Sequence, residues 1–153
     1  ENPDCILNSP AYRNASILLT GVNFGCGSSR ENAVWALMAM GLRVVIAPSF
    51  GDIFFGNCFQ NGLLPIRLPM ATIENLAREL SAKPDRATLT IDLQALRVRT
   101  PTGGEIAFAV EPLQQRMLLE GLDQIGLTLT HEAAIAQFQS QDRRTRPWLY
   151  ATP

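Results

Sequence analysis

The sequence holds a single histidine, three cysteines, and no apolar run long enough to span a bilayer. His131, the one histidine, stands far along the chain beside a candidate helix cap. Cys5, Cys26 and Cys58 are odd in number and far apart. They fit neither a disulfide framework nor the short ligand spacings of zinc and iron–sulfur sites, so they read as reduced thiols in a cytosolic setting. Arg43 breaks the longest apolar stretch, which argues against a membrane span. The opening Glu1-Asn2-Pro3-Asp4 lacks a basic stretch followed by an apolar core, so no signal peptide is expected. Charge is also scarce. A net charge of −1 gives no electrostatic case for nucleic acid or an anionic membrane as the main partner. Neither internal repeats nor low-complexity blocks occur.

What is present fits one domain, since 153 residues bury enough surface to fold without staples. After an irregular lead-in over 1–15, with Tyr12 expected against the first strand, the apolar run 16–20 reads as a strand buried on both faces. A loop follows over 21–27. A helix is predicted from about Ser29 to Met40, because Val34, Leu37 and Met38 form one stripe before Gly41. Residues 43–47 read as a second buried strand. Ser49, with Asp52 three residues on, predicts a capped second helix whose apolar face is Phe50, Ile53, Phe54 and Cys58, and Asn61-Gly62 ends it. Residues 63–68 make a third strand, at an edge or bent because of Pro65. Strand, helix, strand, helix, strand implies a parallel sheet with crossover helices. A helix over 72–82 follows.

The period then changes to two. Leu89, Ile91 and Leu93, then Leu96 and Val98, then Ile106, Phe108 and Val110 each alternate with polar or small residues, which predicts an antiparallel meander. Pro112 opens a helix through Glu120, and Thr130 can cap a last one over 131–139. The expected division is one α/β domain over 1–140 and a mobile tail over 141–153.

The chain is organised around Asn23-Phe24-Gly25-Cys26-Gly27-Ser28-Ser29-Arg30-Glu31. Four readings compete for it. Ser28-x-x-Glu31 has the spacing of a helix capping box. Gly25-x-Gly27 starts a dinucleotide loop, but Arg30 stands where the third glycine belongs and the next strand ends in Ala47-Pro48 rather than an acid. A nucleotide P-loop fails for want of Gly-Lys-Ser/Thr. An anion site with a reactive hydroxyl uses every polar residue present. Arg30 supplies a bidentate fork for a carboxylate, and Ser28 or Ser29 a hydroxyl at a helix start, where unpaired N–H groups favour negative charge.

At these residues the chain resembles a known family. "NFGCGSSRE", "RVVIAPSFGDIFFGNCFQNGLLPIRL" and "LLEGLDQIGLTL" are similar to the small subunits of 3-isopropylmalate dehydratase, the detached swivel domain of the aconitase superfamily. The resemblance runs from about residue 2 to 138. It implies a swivelling β/β/α fold, with a parallel βαβαβ core and an antiparallel meander, and a hydro-lyase active only with a large subunit. It also implies a small dicarboxylate substrate, leucine biosynthesis as the setting, and a four-iron, four-sulfur cluster held by the large subunit and not by this chain. By the same resemblance, Ser28 is the alkoxide base that moves a proton on carbon, Arg30 binds a substrate carboxylate, and Ser29, Gly27, Cys26 and Gly25 shape the substrate loop. The family places a histidine where this chain has Asn32, which cannot titrate near neutral pH. The family's N-terminal strand and specificity loop have no counterpart in the sequence, so homoaconitate and methylmaleate remain alternative substrates. A non-catalytic docking module is the alternative of another class.

A helix start contributes about 0.3–1 kcal/mol to an anion, and at most ~2. That is roughly one pKa unit, far short of what an alkoxide needs at neutral pH. Loop N–H groups, Arg30 and water exclusion must supply the rest, so Ser28 is expected to be unreactive until it is covered by the large subunit. Elsewhere the plainer readings prevail. Cys26 is expected to be a small buried thiol. His131 marks a surface helix start, and Asp52 complements its own helix. Phe50, Phe54, Phe55 and Phe59 are core and interface rather than a cofactor box, and exposed aromatic surface predicts self-association of the isolated chain. Arg143, Arg144 and Arg146 read as a solvated cluster.

Overall fold

The run Val44–Ala47 is buried at all four positions and forms the middle strand of a parallel sheet. In the computed structural model, which describes residues 6–27, 29–82 and 88–150, three strands make this sheet in the order β1-β2-β3. They are β1 (Ile17–Leu19), β2 (Val44–Ala47) and β3 (Leu64–Arg67). Ile17 stands beside Val44, and Val44 beside Leu64. Pro65 is tolerated because β3 is an edge strand, where a missing N–H costs no ladder bond. β1 is the other edge and is half-buried, not buried on both faces as its sequence predicts.

Alternation along β2 divides the core. Val45 and Ala47 face Val34, Phe50, Phe54 and Cys58 from the helices α1 (Asn32–Ala39) and α2 (Asp52–Asn61) and the residues just before α2. Val44 and Ile46 face Ile73 and Leu76 of α3 (Met70–Ser81), together with Val98 and Phe108. Val98 comes from an antiparallel sheet of β4 (Thr90–Asp92), β5 (Arg97–Arg99) and β6 (Glu105–Ala107), registered as Ile91 on Val98 and Val98 on Ile106. α4 (Pro112–Glu120) closes this part of the chain, stopped by Gly121 in the left-handed region.

The residues divide into two compact units between Gly121 and Leu122. The second unit holds α5 (Gln124–Leu129), α6 (Glu132–Thr145) and a short 3-10 turn, Pro147–Leu149. Its helices correct the expectation in three places. α5 is a helix the apolar pattern does not reveal. Asp123 caps it, accepting from the Gly126 N–H at 2.6 Å. Thr130 ends α5 rather than starting α6, and His131 takes the N-cap position of α6. α6 runs to Thr145 instead of stopping at 139, so the boundary expected at 140 falls inside it. Its last turn is held by Asp142, which accepts from Arg146 Nε at 2.6 Å and from the Tyr150 hydroxyl at 2.8 Å. Among the described residues no helix is long and apolar enough to cross a membrane.

Candidate functional site

In a parallel sheet the loops leaving the carboxyl ends of the strands form the crevice where ligands bind. Here the loop after β1 and the loop after β2 meet at that edge. Phe24 and Phe50 form a parallel bridge, with the Phe24 N–H on the Ser49 carbonyl at 3.0 Å and the Gly51 N–H on the Phe24 carbonyl at 2.9 Å. Phe24 also meets the Phe54 ring edge-on at 5.5 Å between centroids. The loop therefore rests on an aromatic floor supplied by α2 and the residues before it.

Gly25 shows why glycine is required. Its φ is +78°, and a Cβ there would fall 2.2 Å from the Phe54 ring. Asn23, at φ +56°, takes the same left-handed region without being glycine. Its N–H donates to the Ser49 Oγ at 2.8 Å. Ser49 is thus spent on the loop rather than on α2, whose N-cap is Gly51 with no side-chain cap bond. This corrects the capping reading of Ser49 and Asp52. The tertiary partner across the crevice outcompetes the local one.

α1 also starts later than its sequence suggests, at Asn32 instead of Ser29. Residues 30–33 form a turn in which the Arg30 and Glu31 carbonyls already accept from Ala33 and Val34. Glu31 itself occupies the N-cap position, without a side-chain cap bond.

An open cleft of about 310 Å³ lies on this edge, lined by Gly25, Cys26, Ser29, Asp52, Ile53 and Phe54. The structure thus gathers three of the expected site residues: Gly25, Cys26 and Ser29. Gly27 and Arg30 are exposed and do not line it. Ser28 lies outside the described residues. Cys26 is exposed, against the expectation of a buried thiol, because the glycines beside it carry the loop past the apolar floor. Cys58 is the buried one, and burial pushes its thiol up to about 12. Asp52 and Ile53 belong to the cleft, although their sequence pattern assigns them to α2 alone. Ile53 is 58% exposed and faces away from the helix's apolar side. Their signal is position: they directly follow the turn that leaves the carboxyl end of a buried strand.

Among the described residues no three His, Cys, Asp or Glu side chains gather as a metal site. Cys26 and Cys58 differ in exposure, and Cys5 lies outside the described residues.

Comparison with known proteins shows which family the chain is similar to. The Aconitase C-terminal domain profile matches residues 1–71, and one described as LeuD_N matches 74–112. The profile for the C-terminal domain of 3-isopropylmalate dehydratase small subunits matches 125–152. The 3-isopropylmalate dehydratase small subunit of Parvibaculum lavamentivorans is 54% identical over 149 residues, which is 97% of this chain and 74% of that protein. The chain belongs to the 3-isopropylmalate dehydratase small-subunit family. The family member from Nitrobacter hamburgensis is 52% identical over 148 residues, 97% of this chain and 73% of that protein. A crystal structure of 3-isopropylmalate dehydratase from Methanocaldococcus jannaschii superposes with a TM-score of 0.58 at 28% identity, covering 79% of this chain and 67% of that one. Within the family's aconitase-type segment lies the whole of the crevice, from Asn23 to Asn57.

Proposed function

We propose that this chain is the small subunit of a hydro-lyase that interconverts 2-isopropylmalate and 3-isopropylmalate by removing and re-adding water, working only with a large subunit. The observation that carries the reading is the position of Gly25, Cys26 and Ser29 at the carboxyl edge of the parallel sheet, in a chain of this family. In the reaction Arg30 grips a substrate carboxylate through its planar fork. Ser28, as alkoxide, takes the proton from carbon. The C–H electron pair becomes the double bond as the hydroxyl departs, and on rehydration water adds with its hydroxyl and proton on exchanged carbons, which gives the other isomer. The iron–sulfur cluster that assists departure of the hydroxyl belongs to the large subunit, and no part of it is assigned to this chain.

The open cleft supports the dependence on a partner. Cys26, Gly27, Ser29 and Arg30 are all exposed, and Asp52 adds a negative charge to the cleft wall. The open cleft leaves an anionic substrate in contact with water and sets the Asp52 carboxylate beside it, which favours a second surface closing over the site. Without that surface, exposed Val22, Trp35 and Ile53 support self-association of the isolated chain, which size measurement across a concentration range reads directly.

The test is reconstitution with an anaerobically prepared large subunit, following the absorbance of the conjugated intermediate. Ser28→Ala lowers turnover by ~10²–10⁴-fold with KM little changed. Arg30→Lys chiefly raises KM, because an ammonium cannot form the fork. Full turnover by Ser28→Ala would sink the mechanism. A panel including homoaconitate and methylmaleate tests the substrate.

A further inference from the structure

We propose that Ser49 and Asn57 are positioning residues for this reaction, pinning the two ends of the 23–29 loop to the α2 segment. The inference rests on the function proposed above and names two groups that touch the loop backbone rather than the substrate. At the entry, the Ser49 Oγ accepts from the Asn23 N–H at 2.8 Å. At the exit, Asn57 Nδ2 donates to the Ser29 carbonyl across a long bond of 3.5 Å. The Ser29 carbonyl belongs to the peptide that leads into Arg30, so its placement bears on the proposed carboxylate fork.

Neither side chain is needed for α2 itself. Ser49 stands where it could cap the helix and does not. Asn57 is a weak helix former in a helix interior. Its own carbonyl accepts from Asn61 Nδ2 at 2.9 Å, and Asn61 Oδ1 in turn accepts from Trp35 Nε1 at 2.7 Å. α1, α2 and the loop exit are thereby tied in one chain of bonds. Between the pins the loop contains Gly25 and Gly27, whose backbones are permissive, so the pins add to the Phe24 bridge and the Phe54 floor in fixing its placement. Both bonds are solvent-accessible, and water can replace either partner. Losing a pin therefore costs little stability while shifting the loop, and an ångström of misplacement at a reacting group is enough to cost about 100-fold in rate.

Ser49→Ala, Ser49→Thr and Asn57→Asp would be compared with the parent, both in the reconstituted complex and as isolated chains. In the complex, Ser49→Ala and Asn57→Asp lower kcat about 10- to 100-fold while KM stays within about twofold, and Ser49→Thr, which keeps the hydroxyl, recovers most of the rate. In the isolated chain, trypsin cuts after Arg30 about tenfold faster in Ser49→Ala and Asn57→Asp, with melting temperatures within about 2 °C of the parent. Unchanged cleavage after Arg30 overturns the proposal, as does a loss of kcat that follows melting temperature and is not restored by threonine. If the parent complex fails to turn over isopropylmalate, the proposed function fails, and cleavage after Arg30 still decides whether the pins hold.

Discussion

Residues 17–68 and residues 122–150 hold their helices in place by opposite means. The first stretch surrounds a parallel sheet with apolar side chains on both faces, and Val34, Val45, Ile46, Phe54 and Cys58 are almost wholly removed from water. The second has a carboxylate as its buried side chain, Asp142, gripped by Arg146 and the Tyr150 hydroxyl, while Arg143 lies over the Tyr150 ring at 5.2 Å. Apolar burial is insensitive to pH and intolerant of added volume. A hydrogen-bonded carboxylate has the reverse character. The loop that carries the site is built on the first kind of support. That is where precise placement comes from, since a packed floor leaves few alternative arrangements.

The largest expected effect strikes that floor. Gly25→Ala places a methyl into the Phe54 ring and holds a non-glycine residue at φ +78°. The left-handed backbone costs about 1–2 kcal/mol, and overpacking adds about 1–3 kcal/mol. Denaturant unfolding should register a loss of ~2–5 kcal/mol from these two costs together. Reconstituted turnover should fall beyond what the remaining folded fraction explains. Unfolding at the parent midpoint would mean that the loop does not rest on Phe54.

The two described cysteines sharpen the contrast within one region. Cys58 lies in the core and burial pushes its thiol up to about 12, whereas Cys26 is exposed in the cleft. Because the folded-state value is raised, the contribution of Cys58 to stability is complete below pH 9 and is lost as pH rises toward 12. At pH 10 the loss is about 1.4 kcal/mol, and Cys58→Ser or Cys58→Ala removes that pH slope. Iodoacetamide at pH 8 should mark Cys26 and leave Cys58 untouched until the chain unfolds. Equal labelling of both would break the picture of a dry core beside an open cleft.

The packed region is legible in the sequence and the polar one obscure, for physical reasons. A run such as Val44-Val45-Ile46-Ala47 has few ways to escape water, so β2 and its two crossovers follow from pattern alone. The loop motif is legible too, because its glycines, hydroxyls and guanidinium point to an anion whatever the fold. Ser49 misleads because its acid at i+3 mimics a local cap, whereas its true partner, Asn23, is distant in sequence. Cys26 misleads because burial habits of thiols say nothing of a glycine-flanked loop. α5 and the second half of α6 escape notice because no apolar stripe marks them. Gln139 to Thr145 is polar throughout, and its helix is held by bonds from residues further on.

The smallest effect belongs to Asp142, and it tests the comparison from the other side. The Tyr150 hydroxyl first, and then Arg146, hold its carboxyl below the usual carboxylate range, against the opposing pull of burial. A depressed folded-state value contributes stability above about pH 4, the unfolded value, and loses it as pH falls through the folded one. The same bond raises the Tyr150 phenol, so its contribution is complete below about pH 10 and is lost as pH rises further. The clasp is therefore intact across the neutral range and opens below pH 4. In a Trp35→Phe background, Trp148 is the remaining indole and reports on this turn alone. Its emission should shift on acidification before the far-ultraviolet signal of the sheet region changes. Asp142→Asn should abolish that early shift, because an amide has no proton to gain, while trypsin reaches Arg143, Arg144 and Arg146 more readily at neutral pH. An early shift that survives in Asp142→Asn would assign the acid sensitivity to another carboxylate, and the two regions would no longer differ in the way their side chains imply.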